Sequence, residues 1–135
     1  MKLSVVIITY NQVSFIRQCM ESVLAQQFDA SWEIVVADDA SSDGTAQILG
    51  DYAQRHPHLI QLVTATANQG LVGNLRRALA VARGEYIAYL DGDDYWTDPR
   101  KLARQVAILD AHPEAVLSFH ASRILIDHHP GGLLT

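Results

Sequence analysis

Gly84-Glu85-Tyr86-Ile87-Ala88-Tyr89-Leu90-Asp91-Gly92-Asp93-Asp94 is an apolar and aromatic run that stops on a cluster of acids, and it sets how the other residues of this 135-residue chain are read. Tyr86 to Leu90 has the length of a buried strand, and acids just past a strand's carboxyl end stand where an open parallel sheet binds its ligands. Working outward, Leu3 to Thr9, Trp32 to Ala37 and Leu59 to Thr64 have the same strand character. Helical spacing follows each of the four runs. Ile16, Cys19, Met20, Val23 and Leu24 line one face of a helix from about residue 13 to 27. Thr45, Ile48, Leu49, Tyr52 and Ala53 line a second, with Ser42 or Asp43 placed to cap it. Leu71, Leu75, Ala78, Leu79 and Ala82 line a third, with Gly84 as its stop, and Asp98-Pro99 starts a fourth carrying Leu102, Val106 and Leu109.

A fifth strand over roughly Ala115 to His120 completes the alternation. The pattern predicts an α/β fold: a mainly parallel sheet, right-handed crossovers and helices on both faces. Residues 1–123 are predicted to form one domain. The tail, 124–135, contains Asp127-His128-His129-Pro130-Gly131-Gly132 and reads as turn or disorder, with the two histidines in a polar turn rather than a site.

Ten Lys and Arg against 15 Asp and Glu give a net charge of −5, which speaks against nucleic acid as a partner. The single cysteine, Cys19, falls among helical-period apolar residues, so no disulfide can form within one chain and a reducing, cytoplasmic setting fits. The opening apolar run is too short for a membrane span or signal peptide, so the expected place is the cytoplasm, at the inner face of the membrane if something else holds it there.

The residues just after the strands are Tyr10-Asn11, Asp38-Asp39, Asn68-Gln69-Gly70 and Asp91-Gly92-Asp93-Asp94. Acids, amides and one aromatic ring with few cations suit a divalent metal and hydroxyl or base donors. Asp91 and Asp93, two apart on an extended segment, would point the same way, and Gly92 would let the backbone turn close to a ligand. All-oxygen ligands favour Mn2+ or Mg2+ over zinc. Asp98 reads as a helix cap. Of Asp38 and Asp39, one caps the local turn and the other, Asp39, faces a ligand. A phospho-receiver fits badly because the acids follow strands two and four, and a dinucleotide-binding dehydrogenase fails because no Gly-x-Gly-x-x-Gly follows the first strand.

Three ordered motifs now stand together: Val5-Val6-Ile7-Ile8-Thr9-Tyr10-Asn11, Val35-Val36-Ala37-Asp38-Asp39-Ala40-Ser41-Ser42-Asp43-Gly44-Thr45, and the run from Gly84 to Asp94. They closely resemble family 2 glycosyltransferases, and Tyr95-Trp96-Thr97-Asp98-Pro99 with Lys101-Leu102 resembles bacterial members that build surface polysaccharides. The resemblance covers about the first 120 residues. It implies the N-terminal part of a Rossmann-like nucleotide-diphospho-sugar transferase fold, a UDP-linked donor, a glycan or lipid-linked glycan acceptor and an inverting displacement. By motif, Tyr10 would pack on the base with Asn11 beside it, Asp39 would accept from the base N–H, Asp91 would contact ribose or the metal shell, and Asp93 would ligate the metal; Asn68 and Asn74 are further candidates. Ile8 stands where many relatives have proline, and Asn74-Leu75-Arg76 replaces a common Ala-Arg-Asn. In this family the general base comes from the second half of the fold, and no residue here takes that role. The chain by itself is therefore expected to bind donor, to transfer little, and to self-associate through an uncovered sheet edge or face. The alternative is a module that binds nucleotide sugar without transferring it.

Overall fold

The computed structural model describes residues 1–125 and 133–134. Its order is β1 (Leu3–Thr9), α1 (Ile16–Leu24), β2 (Trp32–Asp38), α2 (Thr45–Arg55), β3 (Ile60–Thr64), α3 (Gly70–Val81), β4 (Tyr86–Asp91), α4 (Lys101–Ala111), and the two-residue β5 (Ile124–Leu125) and β6 (Leu133–Leu134). The chain divides into two compact units, Met1–Arg104 and Gln105–Thr135.

In the first unit the strands run in the order β3-β2-β1-β4, every pairing parallel. β1 is central and buried along its whole length, which is why Val5 to Ile8 read as a continuous apolar run rather than an alternating one. The connections from β1 to β2 and β2 to β3 carry α1 and α2, which touch each other, and the return from β3 to β4 carries α3 across β2 and β1. Val6, Ile8, Val35 and Ala37 meet Ala78 of α3, flanked by Leu75, Val81 and Ala82. The alternate residues Val5, Ile7, Ile34 and Val36 point the opposite way, and Ile16, Cys19, Met20 and Val23 of α1 and Leu49 and Tyr52 of α2 are buried. Each such aliphatic side chain contributes roughly 1.5–3 kcal/mol by leaving water.

The four main strands fall where the apolar runs predict them. The fifth does not form. Residues 115–120 carry no strand, and Val116, Leu117 and Phe119 are exposed; an apolar run of strand length becomes a strand only where a ladder partner meets it. β5 and β6 instead form a short antiparallel pair at the ends of the predicted tail. Asp127, His128 and His129 lie outside the described residues.

Gly84 also serves a different purpose from the predicted helix stop. α3 ends at Val81 with Ala82 already extended. A Cβ on Gly84 would stand 2.2 Å from the Ser4 amide nitrogen and 2.6 Å from the Leu3 carbonyl carbon, so this glycine lets β4 enter against β1. Below it Ser4 Oγ accepts from the Gly84 and Arg83 amides and donates to Glu33, whose carboxylate pairs with the Arg83 guanidinium. Burial works against the Glu33 charge, but these bonds from Arg83 and Ser4 hold its carboxyl below the usual range.

Candidate functional site

β2 and β3 lie on one side of β1 and β4 on the other, so the strand order reverses at β1, and in open α/β sheets ligands bind beyond the carboxyl ends of the strands at such a point. Tyr10 stands there with its ring half-exposed. Asn11 follows in the left-handed region at φ 51, which asparagine tolerates better than most residues. Its amide donates to Ser41 Oγ at 2.9 Å and its Oδ1 accepts from the Ser42 amide at 2.9 Å, which ties the loop after β1 to the loop after β2.

The two acids ending β2 divide their work. The Asp38 carboxylate turns back on its own loop, accepting from the Ser41 amide and hydroxyl. Asp39 reaches across to α3, accepting from the Gln69 amide at 2.9 Å and the Gly70 amide at 2.8 Å, with Arg77 Nη1 at 3.5 Å. It is 2% exposed. This is a capping geometry at the positive end of a helix, and it engages both oxygens. Ala40, between Asp39 and Ser41, takes φ 63, a left-handed conformation that a Cβ disfavours.

Asn68 Oδ1 accepts from the Gly70 amide. Asn74 is buried: its Nδ2 donates to the carbonyls of Thr9 and Ala37, and its Oδ1 accepts from Arg77, whose other nitrogen donates to the Asp38 and Val63 carbonyls. Asn74 and Arg77 thus fix the ends of three strands relative to one another. Sequence reading missed Arg77 and assigned Asn74 no structural part. The available signal was that both interrupt the buried stripe of α3 that also carries Ala78 and Val81.

The acidic segment is a turn rather than the extended stretch that its spacing suggested. The Asp94 amide donates to the Asp91 carbonyl at 3.0 Å, so Gly92 and Asp93 occupy the corner. Gly92 approaches protein, not open space: a Cβ there would stand 2.5 Å from Gln12 Oε1 and 2.8 Å from Thr9 Cβ and Oγ1. Asp91 Oδ1 accepts from the Tyr89 hydroxyl, whose pKa is pushed up by burial and by the neighbouring acids. Asp93 and Asp94 are exposed. Partial burial, then Asp93 and Asp91, push the Asp94 carboxyl above the usual range, a repulsion that a bound cation would relieve. Below the turn, the buried Cys19 thiol donates to the Asp91 carbonyl at 3.7 Å, and burial together with Asp94, Asp93 and Asp91 pushes its pKa up to about 12.

Among the described residues no group of three or more His, Cys, Asp or Glu is arranged to hold a metal. Asp91 and Asp93 would offer one or two carboxylates. That number suits Mg2+ or Mn2+, which are commonly bound through one or two carboxylates plus the phosphates of the ligand. Asp98 is the cap that the sequence suggests, accepting from the Arg100 amide and pairing with Arg104. No described helix is long and apolar enough to cross a membrane.

Residues 4–128 match the family described as Glycosyl transferase family 2. An uncharacterised protein of Mycobacterium tuberculosis is 44% identical over 125 residues, covering 93% of this chain and 36% of that protein. The chain therefore spans about a third of the length of that relative. Among solved structures, S. aureus TarS 1-349, in complex with UDP, is 33% identical with a TM-score of 0.75, covering 84% of this chain and 33% of the other; TarS 1-349 has also been solved in complex with UDP-GlcNAc. A mannosyltransferase from Pyrobaculum calidifontis, in complex with GDP-Man and Mn2+, is 32% identical with a TM-score of 0.74, covering 80% of this chain and 32% of the other.

Proposed function

We propose that this chain, which belongs to glycosyl transferase family 2, is the donor-binding part of an enzyme that moves a sugar from a nucleoside diphosphate to a hydroxyl of a glycan or lipid-linked glycan. The observation that carries the reading is the point at β1 where the strand order reverses, with Tyr10 and Asn11, the Asp39–Asn68 cap and the Asp91–Asp94 turn together at the carboxyl ends of the strands. TarS in complex with UDP and UDP-GlcNAc supports uracil as the base.

In this reading the half-exposed ring of Tyr10 offers its face to the base. Asp39 orients the Asn68–Gly70 corner and accepts from a base N–H through a remaining lone pair. Asp91, held by Tyr89, faces the ribose or the metal shell, and Asp93 is the principal metal ligand. Mn2+ or Mg2+, when bound, would neutralise charge on the departing diphosphate. The acceptor oxygen attacks the anomeric carbon as the bond to diphosphate breaks, and the acceptor proton passes to a base that is not assigned to any residue of this chain. Residues 1–123 are the proposed donor-binding domain, with a cytoplasmic setting and self-association through the uncovered sheet as further parts of the reading.

The test is calorimetric titration of UDP into the chain with Mn2+ and with chelator. Metal should tighten binding. Equal affinity in both would remove Asp91 and Asp93 from the metal role. A binding-only module is told apart by product formation from a UDP-sugar and glycan acceptors.

A further inference from the structure

Asp91 ends β4 opposite Ile8, and the Gly92 amide still donates to the Ile8 carbonyl at 2.9 Å, but from Asp93 to Arg100 the chain runs without helix or strand, so no ladder of its own fixes the stretch that carries Asp93, Asp94 and Asp98. α1 supplies the missing partners. Cys19 and Ser22 are three apart on one side of α1, and Gln26 follows just past the helix end, where its amide donates to the Val23 carbonyl at 3.1 Å. The Cys19 thiol donates to the Asp91 carbonyl, and Ser22 Oγ accepts from the Trp96 amide at 3.1 Å. Gln26 Nε2 donates to the Asp98 carbonyl at 2.9 Å while its Oε1 accepts from the Leu102 amide at 3.1 Å. The next amide, that of Gln27, donates to the Pro99 carbonyl at 2.8 Å.

The placement of Gln26 is informative because it is 8% exposed. A buried carboxamide is costly unless both its ends are paired, and both ends of this one are paired with backbone of the same segment, on either side of Pro99. Apolar packing of Trp96 and Leu102 would hold the segment down without specifying its path. The hydrogen bonds do specify it, at Asp91, Trp96, Asp98 and Leu102 in turn. We infer that Cys19 and Ser22 of α1, with Gln26 just past its C-terminal end, form a positioning device for the acidic loop, setting how Asp91 and Asp93 are presented to a divalent cation and diphosphate. This rests on the donor-site reading proposed above.

The experiment titrates UDP into the wild-type chain, Ser22→Ala and Gln26→Ala, each in Mn2+ and in chelator, with circular dichroism and a thermal midpoint confirming a folded protein. Tyr52→Phe is the control: it removes a hydrogen bond between Tyr52 and Glu21 on another side of α1. The expected result is that the ratio of Kd in chelator to Kd in Mn2+ falls about three- to tenfold in Ser22→Ala and Gln26→Ala, while Kd in chelator and the ratio in Tyr52→Phe stay at the wild-type values. An unchanged ratio in the folded variants, or an equal fall in Tyr52→Phe, overturns the inference. If Gln26→Ala does not fold, Ser22→Ala, which loses one hydroxyl, decides alone. A wild-type chain with no metal gain overturns the donor-site reading itself and is recognised before any variant is compared.

Discussion

Replacing Gly92 by alanine should damage the acidic turn in a way that its surroundings make calculable. The new Cβ would lie 2.5 Å from Gln12 Oε1 and 2.8 Å from Thr9 Cβ, whereas ordinary contact begins at 3.4 Å. Gln12 can swing aside, losing the bond it accepts from the Thr9 hydroxyl at 2.7 Å. Thr9 cannot, because it ends β1 and its carbonyl accepts from both the Asp39 amide and Asn74. The turn must therefore retreat from Thr9 by about 0.6 Å, the difference between 3.4 and 2.8 Å. Overpacking of this kind costs about 1–3 kcal/mol, or roughly 4–12 °C in thermal midpoint for a domain of this size. The same retreat displaces Asp91 and Asp93, so the tightening of UDP binding by Mn2+ should fall by about tenfold, a shift of roughly 1.4 kcal/mol. Urea denaturation followed by tryptophan fluorescence reads the first effect and calorimetry the second. Gly84→Ala provides the contrast: its Cβ would strike backbone at 2.2 Å at the opposite end of the sheet, so it should cost more stability yet spare the metal gain in molecules that remain folded. Wild-type stability and an intact metal gain in Gly92→Ala would refute the reasoning. Full recovery in Gln12→Ala/Gly92→Ala would place the constraint on Gln12 rather than on Thr9.

Asp93→Asn should abolish the metal-dependent gain in UDP affinity, whereas Asp98→Ala, which loses the acceptor for the Arg100 amide, should lower stability by about 1 kcal/mol and leave the gain intact; equal losses of the gain in calorimetry would mean that the metal ligand is misplaced. Asp39→Ala should cost about 1–3 kcal/mol in urea denaturation, since the Gln69 and Gly70 amides lose their acceptor, and should also weaken UDP binding. Lost stability with unchanged affinity would confine Asp39 to capping α3. The Glu33 carboxyl is held below its ordinary value of 4.5, so its stabilising contribution is present above that pH and disappears as pH falls through the folded value. Urea midpoints measured from pH 7 to 3 should drop steeply at the acid end in wild type and less in Glu33→Gln.

The central strands were legible because a strand covered on both faces is mostly apolar, and Val5 to Ile8 need no further context to be recognised. Residues 115–120 look the same locally and form no strand, because pairing depends on a partner far away in the chain. Glycine was ambiguous for the same reason. Gly84 and Gly92 serve close approaches to Leu3, Ser4, Thr9 and Gln12, none of which a local window contains. The site edge could be read as a set of residues but not as a geometry. Spacing suggested that Asp91 and Asp93 share the face of an extended segment, whereas the bond from Asp94 back to Asp91 makes the segment a turn. Gln26 and Arg77 left little local trace because they act through backbone groups of other elements, Asp98 and Leu102 for the first, Asp38 and Val63 for the second.

Cys19 is the only thiol in the chain, and it lies sealed beneath the acidic turn. Thiol reagents attack the thiolate, and a group pushed up to about 12 in a buried setting presents almost none near neutral pH. Labelling can then proceed only during excursions in which the turn lifts away and the sulfur meets solvent, so the reaction becomes a clock for those excursions. Nucleotide and cation that hold the turn down should slow the clock without any engineered probe, and the native sulfur would time the opening of the loop that carries the acids.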